Sequence, residues 1–262
     1  MSTRFDTRLK IPKTVNAAWL PLVIIAFWHL TVSAGWVDAL FLPAPAVVVA
    51  TGWRMLTEGD LLEKATDTLS VMFRGYLAGS LLGLAIGLVM GVSTFTRRSL
   101  DPIISGLWSS PKLTWFPLLL IFFGLGDAPR LILIALGALI VLAIHTADAV
   151  RGINFGYVEL ARNYGARRWD LFKKVYFPAT LPQVFTGLRL ALGRALTITV
   201  AMEMVTGEGG LGSIIWLAWQ SFSTERLFVA VLLTAGLGTF FYGVLRLLEP
   251  YVVPWKATVG RG

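Results

Sequence analysis

Long apolar runs separated by polar segments dominate the chain, and their lengths predict helices that cross a membrane. Six runs approach the roughly 20 residues that a helix needs to span a bilayer. They lie near Trp19–Gly35, Leu69–Val92, Ile103–Leu125, Arg130–Val150, Val184–Val205 and Phe228–Val252. The third run contains Pro111, Lys112 and Pro117, so it predicts either one span or a short helix followed by a shorter span. The pattern therefore predicts an all-α, polytopic membrane protein with about six transmembrane helices.

The composition supports a membrane protein and argues against a soluble one. Hydrophobic residues make up 56% of the chain and charged residues 15%, whereas soluble domains have about 45–50% and about 25%. There is no cysteine, which excludes disulfide and thiolate chemistry. The basic residues lie between the apolar runs, so membrane topology explains the net charge of +8 better than nucleic-acid binding does. The first run lacks a following small-residue cleavage site and is predicted to be a retained anchor.

The distribution of lysine and arginine predicts the orientation of the chain. With the N-terminus inside the cell, 14 basic residues fall on the inside: Arg4, Arg8, Lys10, Lys13, Arg97, Arg98, Arg151, Arg162, Arg167, Arg168, Lys173, Lys174, Lys256 and Arg261. Four fall on the outside: Arg54, Lys64, Arg130 and Arg226. Because basic residues are enriched in cytoplasmic loops, both termini and the segment after the fourth run are predicted to be cytoplasmic.

Glycines recur at every fourth position of the second run. They are Gly75, Gly79, Gly83, Gly87 and Gly91. A step of four residues advances about 400° on an α-helix, so these glycines form one slowly drifting stripe. Such stripes let two helix backbones approach closely in a membrane. The stripe predicts packing against another span of the same chain, and a subunit interface or a moving gate is the alternative.

The segment Glu159–Arg189, between the fourth and fifth runs, is basic, aromatic and rich in helix-forming residues. One apolar face at helical spacing is formed by Tyr157, Leu160, Ala161 and Tyr164, and another by Leu171, Phe172 and Val175. Gly165 separates the faces, which predicts a helix–turn–helix. Pro178 and Pro182 are predicted to end this cytoplasmic part before the fifth span. The alternative is a basic amphipathic helix that lies on anionic lipid headgroups.

Several motifs occur in this chain in the order known from one family of membrane proteins. They are FLPAPAVV at Phe41–Val48, TLSVMFRGYLAG at Thr68–Gly79, SSPKLTWFPLLLIFFGLGD at Ser109–Asp127 and AMEMVTGEGGLGSIIW at Ala201–Trp216. The loop after Glu159 adds an alanine two residues later, a glycine six residues later and then Leu-Pro. With these motifs the chain resembles the permease subunits of binding-protein-dependent ABC importers of type I, in the nitrate, sulfonate, taurine and bicarbonate branch.

The resemblance implies a domain organisation and a coupling site. It places a type I ABC importer transmembrane domain at residues 66–253, with a cytoplasmic coupling loop at 151–183. The other segments are a cytoplasmic N-terminal tail (1–18), a first transmembrane helix with a periplasmic segment (19–65) and a cytoplasmic C-terminal tail (254–262). The residues expected to couple to an ATPase are Glu159, Ala161, Gly165, Ala166, Arg167, Trp169, Leu171 and Phe172.

The resemblance also implies partners. They are a second permease copy in a homodimer, two cytoplasmic ABC ATPase subunits, and a periplasmic or lipid-anchored substrate-binding protein, all at a bacterial inner membrane. The chain has no Gly-x4-Gly-Lys-Ser/Thr loop, so ATP and magnesium are expected on the ATPase partners and no cofactor on this chain. Two histidines and no cysteine give no metal-ligand spacing, and no catalytic constellation is present, so the chain is expected not to be an enzyme.

Charged and polar residues inside the runs are candidates for the translocation pathway, because such residues usually face a bundle interior or a wet cavity. The candidates are Lys112, Trp115, His145, Arg194, Thr199 and Glu203. Structural roles are the alternative. Lys112 and Arg194 would then extend to an interface, His145 would pack between helices, and Glu203 would brace the outer loop.

The predicted function is that of a permease that forms the substrate pathway and works by alternating access. A small organic anion such as a sulfonate or taurine, or nitrate, is the favoured substrate class within this branch. An aromatic or vitamin-precursor substrate is the alternative within the same family. An ATP-independent secondary transporter or channel, and a lipid-surface scaffold, are the alternatives outside it.

Overall fold

The computed structural model describes residues 13–255, and within that range every regular element is helical. The α-helices are α1 (Lys13–Ser33), α2 (Pro45–Thr57), α3 (Leu61–Val92), α4 (Thr94–Ser109), α5 (Phe116–Phe123), α6 (Asp127–Arg151), α7 (Phe155–Asn163), α8 (Arg168–Leu171), α9 (Phe177–Thr206), α10 (Leu211–Gln220) and α11 (Thr224–Val252). A 3-10 turn (Lys112–Trp115) precedes α5, and a π-helical segment (Phe172–Tyr176) joins α8 to α9. Most of both predicted tails, residues 1–12 and 256–262, lies outside the described residues.

Within the described part of the chain, four helical stretches are long and apolar enough to cross a bilayer. They are α3, α6, α11 and the continuous stretch Arg168–Thr206, which combines α8, the π segment and α9. Two shorter apolar helices, Trp19–Ser33 and Lys112–Phe123, correspond to the first and third predicted runs. Each of the six predicted runs therefore coincides with helix, and the predicted all-α fold class is confirmed.

The third run is not one continuous helix. Its first part belongs to α4, which ends at Ser109, and Ser110 is extended with ψ of 138°. A residue that precedes proline is driven towards this conformation, because the proline ring collides with a helical neighbour. The chain then makes the 3-10 turn at Lys112 and continues as the eight-residue α5.

The helix of the fifth predicted span begins well before the apolar run at Val184. It is continuous from Arg168 to Thr206, so neither Pro178 nor Pro182 interrupts it. Pro178 falls in the first turn of α9, where a missing N–H removes no α-helical hydrogen bond. The preceding residue, Phe177, donates its N–H to Phe172 O, five residues earlier, which is the wider spacing of a π-helix.

The domain boundary predicted between residues 65 and 66 falls inside α3, which begins at Leu61. The first turns of this helix contain polar residues, so the apolar run in the sequence did not show where the helix begins. Leu61, Ala65 and Thr68 are buried on one face, whereas Glu63 lies on the exposed side. The helix therefore begins about two turns before the apolar run predicted at Leu69, and these turns are amphipathic.

The glycine stripe of α3 packs along α6. Successive glycines face backbone atoms of α6 at the same four-residue interval: Gly79 faces Ala135, Gly83 faces Leu139 and Gly87 faces Ala143. At the two ends, Gly75 faces the side chain of Ile134 and Gly91 that of Val150. The residue numbers of the facing positions increase together along the two helices, so α3 and α6 run in the same direction. The contact lies within the chain, and α6 packs against α9 on its other side, which makes it the central helix of the bundle.

Candidate functional site

The predicted coupling residues lie on two short helices joined by a glycine turn, which we call the coupling segment (residues 155–176). Helix α7 ends in a Schellman motif: Gly165 N–H donates to Arg162 O at 2.8 Å, and Ala166 N–H donates to Ala161 O at 3.0 Å. Gly165 has φ of +81°, a left-handed conformation that a β-carbon disfavours. The chain therefore turns at this glycine, between the two apolar faces.

The second half of the coupling segment is held by aromatic and charged contacts. The backbone N–H of Arg167 donates to a carboxylate oxygen of Asp170 at 3.2 Å, which caps α8. The rings of Trp169 and Phe172 stack at 5.4 Å, and the Lys173 ammonium lies 5.5 Å from the Trp169 ring centroid. Leu171 is buried beneath them. Because α8 continues through the π segment into α9, the coupling segment and the fifth span form one helical stretch.

The coupling segment leaves several large side chains exposed to solvent. Tyr164 is 85% exposed and Trp169 64%, and Glu159 is also exposed and makes no hydrogen bond or ion pair with the residues described. A groove of about 420 Å³ lies between α7 and the start of α9, and Trp255 forms part of its wall. Sequence analysis did not find Trp255, because no spacing rule links the end of the chain to this segment. The exposed apolar and basic surface is suited to contact with another macromolecule.

Lys112 caps the C-terminal end of α4. Its ammonium donates to the carbonyl oxygens of Trp108 at 3.1 Å, of Ser110 at 2.8 Å and of Leu107. The last carbonyls of a helix have no partner within the helix and carry a partial negative charge. Lys112 therefore stabilises the break in the third run, and its hydrogen-bonding capacity is used there.

Arg194 and Trp115 lie beside this break. The Arg194 guanidinium carbon is 5.6 Å from the ring centroid of Trp108, which is within cation–π distance. Trp115 donates its indole N–H to Ser110 Oγ at 3.1 Å. Trp108, Trp115 and Arg194 are all exposed. The structure thus brings together three of the predicted pathway residues, Lys112, Trp115 and Arg194.

His145 and Thr199 lie apart from that group in packed positions. A β-carbon on Gly187 would be 3.0 Å from His145 Cβ, so the histidine packs at the contact between α6 and α9. Thr199 is 1% exposed and donates its hydroxyl to Ala195 O within α9. The Thr199 hydroxyl is therefore satisfied within its own helix.

Glu203 ties three elements together at the end of α9. Its carboxylate accepts a hydrogen bond from Thr68 Oγ1 at 3.0 Å and from Gly212 N–H at 2.9 Å. Thr68 Oγ1 in turn accepts from Leu211 N–H at 2.8 Å. Glu203 is 3% exposed and Thr68 is fully buried. The carboxylate therefore braces the α9–α10 loop against α3, and Thr68, which sequence analysis did not single out, is its partner.

Replacing Thr68 by valine is expected to destabilise this brace. The change keeps the shape of the side chain but leaves the Leu211 N–H without its acceptor and removes one donor to Glu203. A buried polar group that loses its partner costs about 1–3 kcal/mol, so the purified protein should unfold at a lower temperature. Thr66→Val is the matched control, since Thr66 is exposed and bonds only to Glu63 O within α3. Equal unfolding temperatures for the two variants would show that the brace contributes nothing to stability.

A buried ion pair joins α9 to α11. Arg189 Nη1 lies 2.5 Å from Glu249 Oε2, and each side chain is 11% exposed. Arg189 also donates to Thr186 Oγ1 at 3.2 Å and lies over the Tyr242 ring. The sequence places opposite charges inside two apolar runs, and this indicates an ion pair, because charged groups at membrane depth usually pair. The two residues are 60 positions apart in the sequence, so only the structure identifies them as partners.

Comparison with known proteins identifies the family. Residues 79–253 match the family described as "Binding-protein-dependent transport system inner membrane component". The putative aliphatic sulfonates transport permease protein SsuC of Bacillus subtilis is 33% identical over 90% of this chain and 86% of its own length. The nitrate import permease protein NrtB of Leptolyngbya laminosa is 30% identical over 93% of this chain and 89% of its own.

Solved structures show the same fold. An inward-facing structure of the MetNI methionine ABC transporter matches with a TM-score of 0.66 and 20% identity, over 73% of this chain and 95% of that one. The chain belongs to the binding-protein-dependent transport system inner membrane component family and is a multi-pass permease subunit of an ABC importer.

Proposed function

We propose that two copies of this chain form the pathway of an importer that is driven by two separate ATPase subunits. The coupling segment of each copy binds one ATPase on the cytoplasmic side, and a substrate-binding protein docks on the opposite side. The exposed aromatic residues and the basic charge of the segment support an interface with another protein. The excess of basic residues in the predicted inside segments supports cytoplasmic termini.

The observation that carries this proposal is the continuity of the helix from Arg168 to Thr206. At 1.5 Å per residue this stretch is about 58 Å long, which exceeds the thickness of the bilayer. A displacement of the docked segment therefore moves α9 along its length, and Glu203 passes the movement to α3 and α10. Alternation between inward-open and outward-open states follows if the two copies rock against each other.

The favoured substrate is a small organic anion, with a sulfonate ahead of nitrate. The names of the two relatives point to anionic substrates, and the charges of Lys112 and Arg194 on one face favour negative ligands. Neither residue converges with other donors into a closed pocket, which suits a pathway that must release what it admits. Discrimination among substrates then rests largely with the binding protein.

Reconstitution tests the proposal directly. The permease should co-purify with an ABC ATPase, and proteoliposomes that contain both should accumulate radiolabelled taurine or nitrate when the binding protein and ATP are present. Uptake should stop when the nucleotide is replaced by a non-hydrolysable analogue. Uptake without an ATPase would contradict the proposal in favour of a secondary transporter, and uptake of only neutral aromatic molecules would contradict the anionic substrate class.

A further inference from the structure

Arg194 is exposed at membrane depth, and no residue within 13–255 provides a counter-ion. It lies twelve residues before Thr206, the last residue of α9, which corresponds to about 18 Å along the helix axis. Among the described residues it makes neither an ion pair nor a hydrogen bond, and its one specific contact is with the Trp108 ring. A guanidinium at this depth is costly in lipid and is found where water reaches it.

The stacking on Trp108 determines how Arg194 presents its donors. A guanidinium is planar and carries its N–H groups around its edge, and it binds aromatic faces through its own face. Contact with the indole ring of Trp108 therefore leaves the N–H donors at the edge of the Arg194 guanidinium accessible. Two parallel N–H groups match two oxygens of a carboxylate, a sulfonate or a nitrate. The geometry favours an oxyanion over a simple halide.

Lys112 has a different role in the same cluster. Its donors are taken by three carbonyls at the end of α4, and those carbonyls include that of Trp108. The lysine thereby fixes the helix end that carries the indole. Its positive charge also repels that of Arg194, so each makes the surrounding potential more positive. Lys112 is a positioning residue, and Arg194 is free to contact a ligand.

We infer that Trp108 and Arg194 form an oxyanion contact site on a water-filled face of the bundle, with Lys112 as the positioning residue. The site takes the anionic headgroup of the transported molecule, a sulfonate or another oxyanion that offers two oxygens side by side. It rests on the proposed function only in assigning this face to the substrate pathway. One arginine without converging donors binds weakly, so the anion passes the site without being trapped.

Charge-selective labelling of a single cysteine tests the inference without any need for transport. The chain contains no cysteine, and Leu190 is 50% exposed one helical turn before Arg194, on the same side of α9. Leu190→Cys in the intact complex is labelled with 2-sulfonatoethyl methanethiosulfonate, an oxyanion, and with its trimethylammonium analogue. Each rate is divided by that for a free thiol. The sulfonate should react about tenfold faster than the cation, because the nearby positive charges attract it.

Two substitutions of Arg194, each combined with the labelled cysteine, show whether the arginine causes the preference for the sulfonate. Arg194→Gln should abolish the preference for the sulfonate, and Arg194→Lys should retain most of it. Thr66→Cys, exposed at the start of α3, is the matched control and should label with the same ratio whether or not Arg194 is present.

Equal rates for the two reagents at Leu190→Cys, or a preference that survives Arg194→Gln, would overturn the oxyanion site. Failure of both reagents to react would overturn the water-filled face, since a thiol in lipid does not ionise. Loss of ATP-driven uptake in reconstitution, with the labelling preference intact, would contradict the proposed function alone.

Discussion

Replacing Gly83 by leucine is expected to prevent α3 from packing against α6 and to eliminate most of the folded permease. A β-carbon at this position would lie 2.5 Å from Leu139 O and 3.0 Å from Leu139 Cα. Both are backbone atoms, so no side-chain rotation relieves the overlap and the helices must separate. Overpacking of a buried contact costs about 1–3 kcal/mol and sometimes more. Size-exclusion profiles and unfolding temperatures in detergent measure the loss.

Two control variants isolate the effect of the close contact. Gly236→Leu makes the same change in α11 at a helical glycine whose β-carbon would meet no atom within 4 Å. Leu84→Ile changes the residue next to Gly83 at nearly constant volume. Both should leave a monodisperse protein with nearly unchanged stability. If Gly83→Leu behaves as they do, the backbone contact between α3 and α6 is not needed for folding.

The glycine stripe shows what a sequence pattern can and cannot predict. A four-residue repeat identifies one face of a helix, and glycine on that face indicates a close neighbour. The repeat does not say which helix the neighbour is, since every span offers a surface. The partner face of α6 consists of Ala135, Leu139 and Ala143. Their mixed sizes gave no matching signal, because it is their backbone that makes the contact.

Lys112 shows the same limit for charged residues. Its position inside an apolar run marked it as unusual, and that part of the prediction needed only the sequence. Its role depended on where α4 ends. Once Ser110 is extended, the carbonyls of the last turn of α4 lie within reach of the ammonium. A substrate contact and a helix cap require the same residue type, so only the geometry separates them.

The sequence did not predict that helix continues through Pro178 and Pro182 into the fifth span. Prolines usually end helices, and Pro178 and Pro182 follow a polar segment. The π segment before Pro178 shifts the hydrogen bonding, and the helix continues. No residue pattern predicts such a segment reliably. The continuity matters for the proposed function, because a break at the prolines would separate the coupling segment from α9.

The turn at Gly165 gives the sharpest test of coupling. Gly165→Val should leave the permease folded and inserted but reduce ATP-driven uptake severely. The left-handed conformation costs a residue with a β-carbon about 1–2 kcal/mol, more than enough to reorient two short helices. No atom lies within 4 Å of the added β-carbon, so the change acts through the backbone and not through a clash. Uptake and ATP hydrolysis in proteoliposomes, measured side by side, report coupling.

Gly165→Asn is the matched control, because asparagine tolerates the left-handed conformation and often replaces glycine at this position of a helix end. It should retain most of the uptake. Glu159→Ala tests the exposed carboxylate on α7 in the same assay, since a charge-assisted bond to the ATPase would be lost while the fold is unaffected. We expect hydrolysis to continue with little uptake in Gly165→Val and in Glu159→Ala. Full uptake by both variants would mean that the ATPase docks elsewhere on the permease, because neither the shape of this turn nor its carboxylate would then matter to the transmitted movement.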